Sequence, residues 1–142
     1  QAKELYEKAL EKNPTLDDAW FKLGDAALER QELEKARTAF RTAARLKPDN
    51  WFSRGKLALV YQLESNWPAA DRELKAELEQ RPDNLEAALR LGLLHTEKYL
   101  KVKTPAEKQA AQTEASKWLE QVLEAQPENA LASRALERVK QP

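Results

Sequence analysis

The chain has 142 residues, enough for one ordinary domain or for an array of small repeats. Its 24 basic and 24 acidic residues cancel, which argues against nucleic acid and anionic membrane as partners, since both recruit net positive charge. There is no cysteine, which excludes disulfides, thiol nucleophiles and thiolate metal sites, and no apolar run reaches membrane-spanning length, so direct membrane insertion is not expected.

Taken in order, residues 2–12 read as an amphipathic helix with Leu5, Tyr6, Ala9 and Leu10 on its apolar side, ended by Pro14. Thr15, with Asp18 three residues on, reads as the capping box of a second helix that runs to about Glu29. Its partner runs from about Leu33 to Leu46. Asn50 is the expected cap of a helix that ends near Leu63, and Ser65-Asn66 marks a turn. Pro68 suits the first turn of the following helix, which stops before Pro82. Asn84 caps the next, which stays helical through Tyr99 to about Lys101. Thr104-Pro105-Ala106-Glu107 is a helix start of cap, proline and carboxylate, and that helix runs to about Ala125. Asn129 caps a last helix, about Ala130 to Lys140, in which Leu136 takes the core position while Ser133 and Glu137 are polar.

A period of 34 residues underlies these elements. Asp17–Asn50 is its clearest unit, carried by Trp20, Leu23, Gly24, Ala27, Ala36, Phe40, Ala43 and Pro48. One period on lie Leu57, Ala58, Tyr61, Ala70, Leu74 and Pro82, with Arg54 replacing the first aromatic and Glu77 the last alanine. Ala88, Leu91, Gly92 and His95 follow. An insertion of 11 residues then delays Ala115, Leu119, Val122 and Pro127. Shared between two antiparallel helices, the insertion lengthens a hairpin without disturbing its register. All three glycines fall inside expected helices, where glycine costs about 1 kcal/mol against alanine. Gly24 and Gly92 share one repeat position, and close approach of the second helix explains them. That explanation does not cover Gly55.

The pattern resembles the tetratricopeptide repeat family, whose signature places Trp, Leu, Gly and Tyr on a first helix, then Ala, Phe, Ala and Pro on a second. The resemblance covers almost the whole chain. It implies an all-α, right-handed helix–turn–helix solenoid over residues 1–142, with repeats at 17–50, 51–84 and 85–129. Residues 2–14 would be the second helix of a truncated repeat, and 130–142 a C-terminal capping helix. The start in mid-pattern reads as a piece of a longer protein. Weak self-association of that piece is expected through the apolar edge of its first helix, at Leu5, Tyr6, Ala9 and Leu10.

Enzyme chemistry and cofactors are not expected. His95 is the single histidine and takes a core position, while Ser53, Ser65, Ser116 and Ser133 lack any motif context. Trp20, Trp67 and Trp118 read as packing residues. Trp51, beside Phe52, reads as packing on the preceding helix end, with a ligand contact as the alternative.

The resemblance implies a concave groove lined by the first helices, which binds peptides in that family. Its sixth repeat position is filled here by Lys22, Lys56 and Arg90. Around them fall Phe21, Phe52, Leu59, Leu63, Leu89 and Leu93, more large apolar residues than a solvated helix face should carry. Gly55, between Phe21 and Leu89, would leave room for a partner side chain. The expected partner is a protein or peptide segment with apolar and acidic residues, held by a scaffold or adaptor within a larger assembly. The alternative is a structural spacer packed on other parts of its own chain. Family members that clamp chaperone C-termini use Lys and Asn, then Asn, then Lys and Arg. The corresponding residues here are Phe21 and Asp25, Lys56, and Glu86 and Arg90. Only Arg90 matches, and Asp25 and Glu86 repel a carboxylate, so that subtype is rejected. Lys98, Lys101, Lys103 and Lys108 near the hairpin tip form a secondary docking candidate for an acidic surface, against the plainer reading of a solvated tip. The Ala- and Gln-rich composition suits a bacterial chain, with cytoplasm and cell envelope both open.

Overall fold

The computed structural model describes residues 2–49 and 51–141, and of Trp51 the backbone alone. The described residues form eight α-helices and no strand: α1 (Ala2–Lys12), α2 (Asp17–Glu29), α3 (Leu33–Leu46), α4 (Trp51–Leu63), α5 (Trp67–Gln80), α6 (Leu85–Lys101), α7 (Pro105–Ala125) and α8 (Ala130–Lys140). They make two compact units, Gln1–Glu73 and Leu74–Pro142. In the first, α1 packs on α2, α2 on α3 and α3 on α4; in the second, α6, α7 and α8 pack on one another.

The 34-residue register is the register of burial. Ala27, Ala36, Phe40, Ala43, Leu57, Ala58, Tyr61 and Ala70 are buried in the first unit, and Leu74, Ala88, Leu91, His95, Ala115, Leu119 and Val122 in the second. Trp20, Leu23 and Arg54 are half-buried. Trp20 is held from its polar end, its indole Nε1 donating to the Pro14 carbonyl at 2.9 Å. The close-approach reading of two glycines is geometric fact. A Cβ on Gly24 would lie 2.6–2.8 Å from three ring atoms of Phe40 on α3, and one on Gly92 would lie 2.5 Å from Cδ2 and 2.7 Å from Cγ of Leu119 on α7.

Turns recur at the same spacing. Gln31 and Ser65 both take the left-handed conformation, with φ of 63° and 58°, and the next amide closes the helix end, Glu32 onto Ala27 and Asn66 onto Tyr61. The inserted residues lengthen one hairpin: α6 has 17 residues and α7 has 21, against 13 and 14 for α2 and α3. Its ends are capped as read from sequence. Asn84 accepts from the Ala87 amide, Asn129 from that of Ala132, and the Thr104 hydroxyl accepts from the Glu107 amide and donates to the Glu107 carboxylate.

Two expectations fail. Thr15 does not cap α2: its hydroxyl and amide both turn back to the Asn13 carboxamide, at 2.6 and 3.1 Å, and Leu16 occupies the cap position without a side-chain bond. In α8 the fully covered stripe is Ala132, Ala135 and Val139, while Leu136 is only half-buried at the edge of that cluster. Of its polar residues, Glu137 is exposed and Ser133 half-buried. The expected cap Asn50 and the Trp51 side chain lie outside the described residues.

Glu77 stands where the repeat has alanine and is 4% exposed. Asn84 Nδ2 donates to its Oε1 at 2.6 Å. Burial pushes the Glu77 carboxyl above its ordinary range, against the opposing pull of Arg90 and the Asn84 bond.

Candidate functional site

The first helices carry the residues expected to line a groove. In the first unit Phe52 and Leu63 on α4 are 57% and 54% exposed, Leu59 is half-buried, and Lys22 on α2 is exposed. Phe21 is half-buried, because its ring meets the edge of Phe40 at 5.6 Å between centroids. Lys56 is brought across from α4 to Asp25 on α2, with Nζ–Oδ1 of 3.2 Å. Gly55 is buried rather than open on this surface, so a partner side chain does not sit on it directly.

In the second unit Leu89 and Leu93 pack partly on the core cluster, and Arg90 pairs with Glu86 one turn away at 3.2 Å. Here the surface closes into a definite groove of about 340 Å³ between α6 and α8. Leu93, Thr96, Leu100, Leu131 and Ala135 line it, with Arg134 and Arg138 along the α8 side and Glu97 on the α6 side. Leu100 and Leu131 are exposed, whereas Glu97 is engaged by Lys101 at 2.9 Å. Sequence reasoning placed Leu93 in a groove but missed Leu100, Leu131, Arg134 and Arg138. The signal was there: Arg134 and Arg138 are four residues apart, and so share one helix face.

The hairpin lysines are unlike one another. Lys108 Nζ donates to the Tyr99 carbonyl at 3.0 Å and lies 4.7 Å above the Tyr99 ring centroid, so it braces the hairpin. Lys101 holds Glu97. Lys98 is half-buried, and Lys103 is exposed. The hairpin extension has a structural task instead. Tyr99 Oη donates to the Gln141 carbonyl at 3.1 Å and Gln112 Nε2 donates to that of Val139, satisfying carbonyls that the end of α8 leaves open.

His95 is buried beside a charged group inside the second unit. Glu114 bonds Lys75 and the Trp118 indole, both at 3.1 Å. Burial works to raise its carboxyl, but the Lys75 bond and charge, with His95 and Trp118, hold it below its ordinary range. Among the described residues no cluster of acids and His has metal-binding geometry, and no helix is long and apolar enough to cross a membrane.

Residues 1–50 match the tetratricopeptide repeat family model. No curated protein matches the sequence. Solved structures match over most of the chain. The Arabidopsis OM64 TPR domain superposes with a TM-score of 0.71 at 19% identity, covering 87% of this chain and 93% of that one. MamA reaches a TM-score of 0.81 at 15% identity, covering 96% and 69%. The second TPR domain of human RPAP3, solved with the HSP70 peptide SGPTIEEVD, gives 0.69 at 18% identity over 84% and 90%. Residues 1–50 thus carry the match to the tetratricopeptide repeat family, and over most of its length the chain shares the helical-repeat fold of these structures.

Proposed function

We propose that this chain is a non-catalytic scaffold whose first-helix surfaces hold a partner segment of mixed large apolar and acidic residues. The α6–α8 groove carries the reading. Exposed Leu100 and Leu131 stand over an apolar floor, and Arg134 and Arg138 line its side without an ion pair among the described residues. Contiguous exposed apolar surface rimmed by charge is the usual mark of a protein-binding site. In the first unit Phe21, Phe52, Leu59 and Leu63 provide the corresponding apolar surface, with Lys22 exposed beside them and Lys56 paired with Asp25.

An internal segment fits better than a C-terminal carboxylate of the kind that ends the HSP70 peptide in complex with RPAP3. Of the clamp-equivalent residues, Lys56 is committed to Asp25 and Arg90 to Glu86, each at 3.2 Å. A displayed random-peptide library tests the reading. Selection on the intact chain should enrich segments pairing Leu or Phe with Asp or Glu, and Leu131→Asp should abolish the enrichment. Enrichment of basic or featureless segments, or an unchanged outcome with Leu131→Asp, refutes it.

A further inference from the structure

A second site uses a different face of α4 from Phe52, Lys56, Leu59 and Leu63. In the first unit α3, α4 and α5 line an open pocket of about 350 Å³. Arg41 and Arg45 on α3 and Arg54 on α4 line it, with Glu73 on α5 as the only carboxylate. Among the lining residues three guanidinium groups thus face one acid, with Glu64 acting on Arg41 from outside the pocket, and Glu73 neutralises them poorly. Arg54 Nη1 stands 3.6 Å from Glu73 Oε2, a loose pair. The Arg54 Nε–H is buried and has no acceptor among the described residues. Arg41 spends one N–H on the Tyr61 hydroxyl at 2.6 Å and keeps four. Arg45 is exposed, with no ion pair among the described residues. Burial also pushes the Glu73 carboxyl up despite Arg54, Arg72 and Arg41 around it, so its charge is poorly matched to this place.

We propose that this pocket binds a phosphate monoester, clamped by Arg41, Arg45 and Arg54. The charge left over in the pocket is two positive, and a phosphate monoester carries about −1.5 to −2 at neutral pH. A carboxylate supplies half of that. Planar guanidinium forks match phosphate oxygens in pairs, which a lysine cluster does not. The pocket is open to solvent, with Arg41 and Arg45 both exposed, so the ligand is either free phosphate or a phosphoryl group carried on a larger molecule.

Titration calorimetry at fixed ionic strength, with arginine Nε–H resonances followed by NMR, tests this with phenyl phosphate, inorganic phosphate and benzoate. Phenyl phosphate should bind saturably at one site, roughly tenfold or more tighter than benzoate, the scale of one charge-assisted hydrogen bond. Tighter binding of phenyl phosphate than of inorganic phosphate assigns the site to a phosphorylated group; the reverse assigns it to the free anion. Arg54→Gln and Arg45→Gln should each weaken binding about tenfold. The Arg45 side chain is exposed, so that variant tests the site without endangering the fold. Glu73→Gln should tighten binding several-fold, because it removes the one competing anion and keeps the shape. No saturable binding, equal binding of benzoate, an unchanged Arg45→Gln or a weakened Glu73→Gln each overturns the proposal.

Discussion

Replacing Gly24 by alanine sets two effects of known sign against each other. Helix propensity alone favours the change by about 1 kcal/mol. Against this, the new methyl carbon would meet Cε1, Cδ1 and Cζ of Phe40 at 2.6, 2.7 and 2.8 Å. Phe40 has no exposed surface and its ring is wedged against Phe21, so it cannot swing clear. Overpacking of this kind costs about 1–3 kcal/mol. The net is a loss of about 1 kcal/mol. Gly92→Ala should lose somewhat more, since Leu119 Cγ, close to its own backbone, lies only 2.7 Å from the new carbon. Urea unfolding followed by circular dichroism measures both, with hydrogen exchange of α2 and α3 to localise the effect, because repeat arrays need not unfold in one step. Pairing Gly24→Ala with Phe40→Leu should recover part of the loss, a coupling that a double-mutant cycle reads directly. A Gly24→Ala variant that gains about 1 kcal/mol, the bare propensity value, would refute the close-approach account.

Three further outcomes are expected. Glu77 has a raised folded-state pKa, so its proton stabilises the fold: stability should increase as pH falls from neutral through that pKa and decrease as pH rises through it. Glu77→Gln, which can still accept from Asn84, should be more stable at pH 7 and lose this dependence; a pH series of thermal melts showing a less stable variant would contradict it. Thr104→Ala should cost about 1 kcal/mol by removing the hydroxyl that caps the Glu107 amide. Thr15→Ala should cost less than half of that, since Thr15 caps nothing, and equal losses in the two denaturation curves would show that the α2 start is misread. Leu5 is 67% exposed, whereas Leu10 is buried and Tyr6 and Ala9 half-covered, so weak self-association should run through Leu5. Light scattering across a concentration series should show it in the wild type and lose it in Leu5→Glu; persistence in the variant would place the contact elsewhere.

The repeat period made most of the fold legible, because burial follows a register that sequence spacing displays. A glycine in an apolar helix face at the same phase as another, Gly24 and Gly92, already implied a bulky neighbour on the opposing helix. What escaped were choices between competing local partners. Thr15 had a capping box within reach, but Asn13 two residues back took its hydroxyl. Lys108 looked like a solvated cation until the hairpin brought it over Tyr99, nine residues earlier. Lys56 and Asp25 are 31 residues apart, and only the offset of α4 against α2 turns them into a pair. The phase of α8 was misjudged for a related reason. It packs on α6 and α7 together, and so buries small residues at Ala132 and Ala135 where a repeat template puts weight on Leu136. Gly55, chosen for a gap in the groove, is covered.

The scaffold reading stands most directly on the two arginines of the α6–α8 groove. An acidic–apolar peptide selected on the intact chain should bind the wild type with an affinity that falls as salt is raised, since the pairing charges are exposed. Arg134→Glu with Arg138→Glu should weaken it by tenfold or more, about 1.4 kcal/mol, and remove the salt dependence. Equal affinity for the wild type and the double variant at low salt would contradict the account.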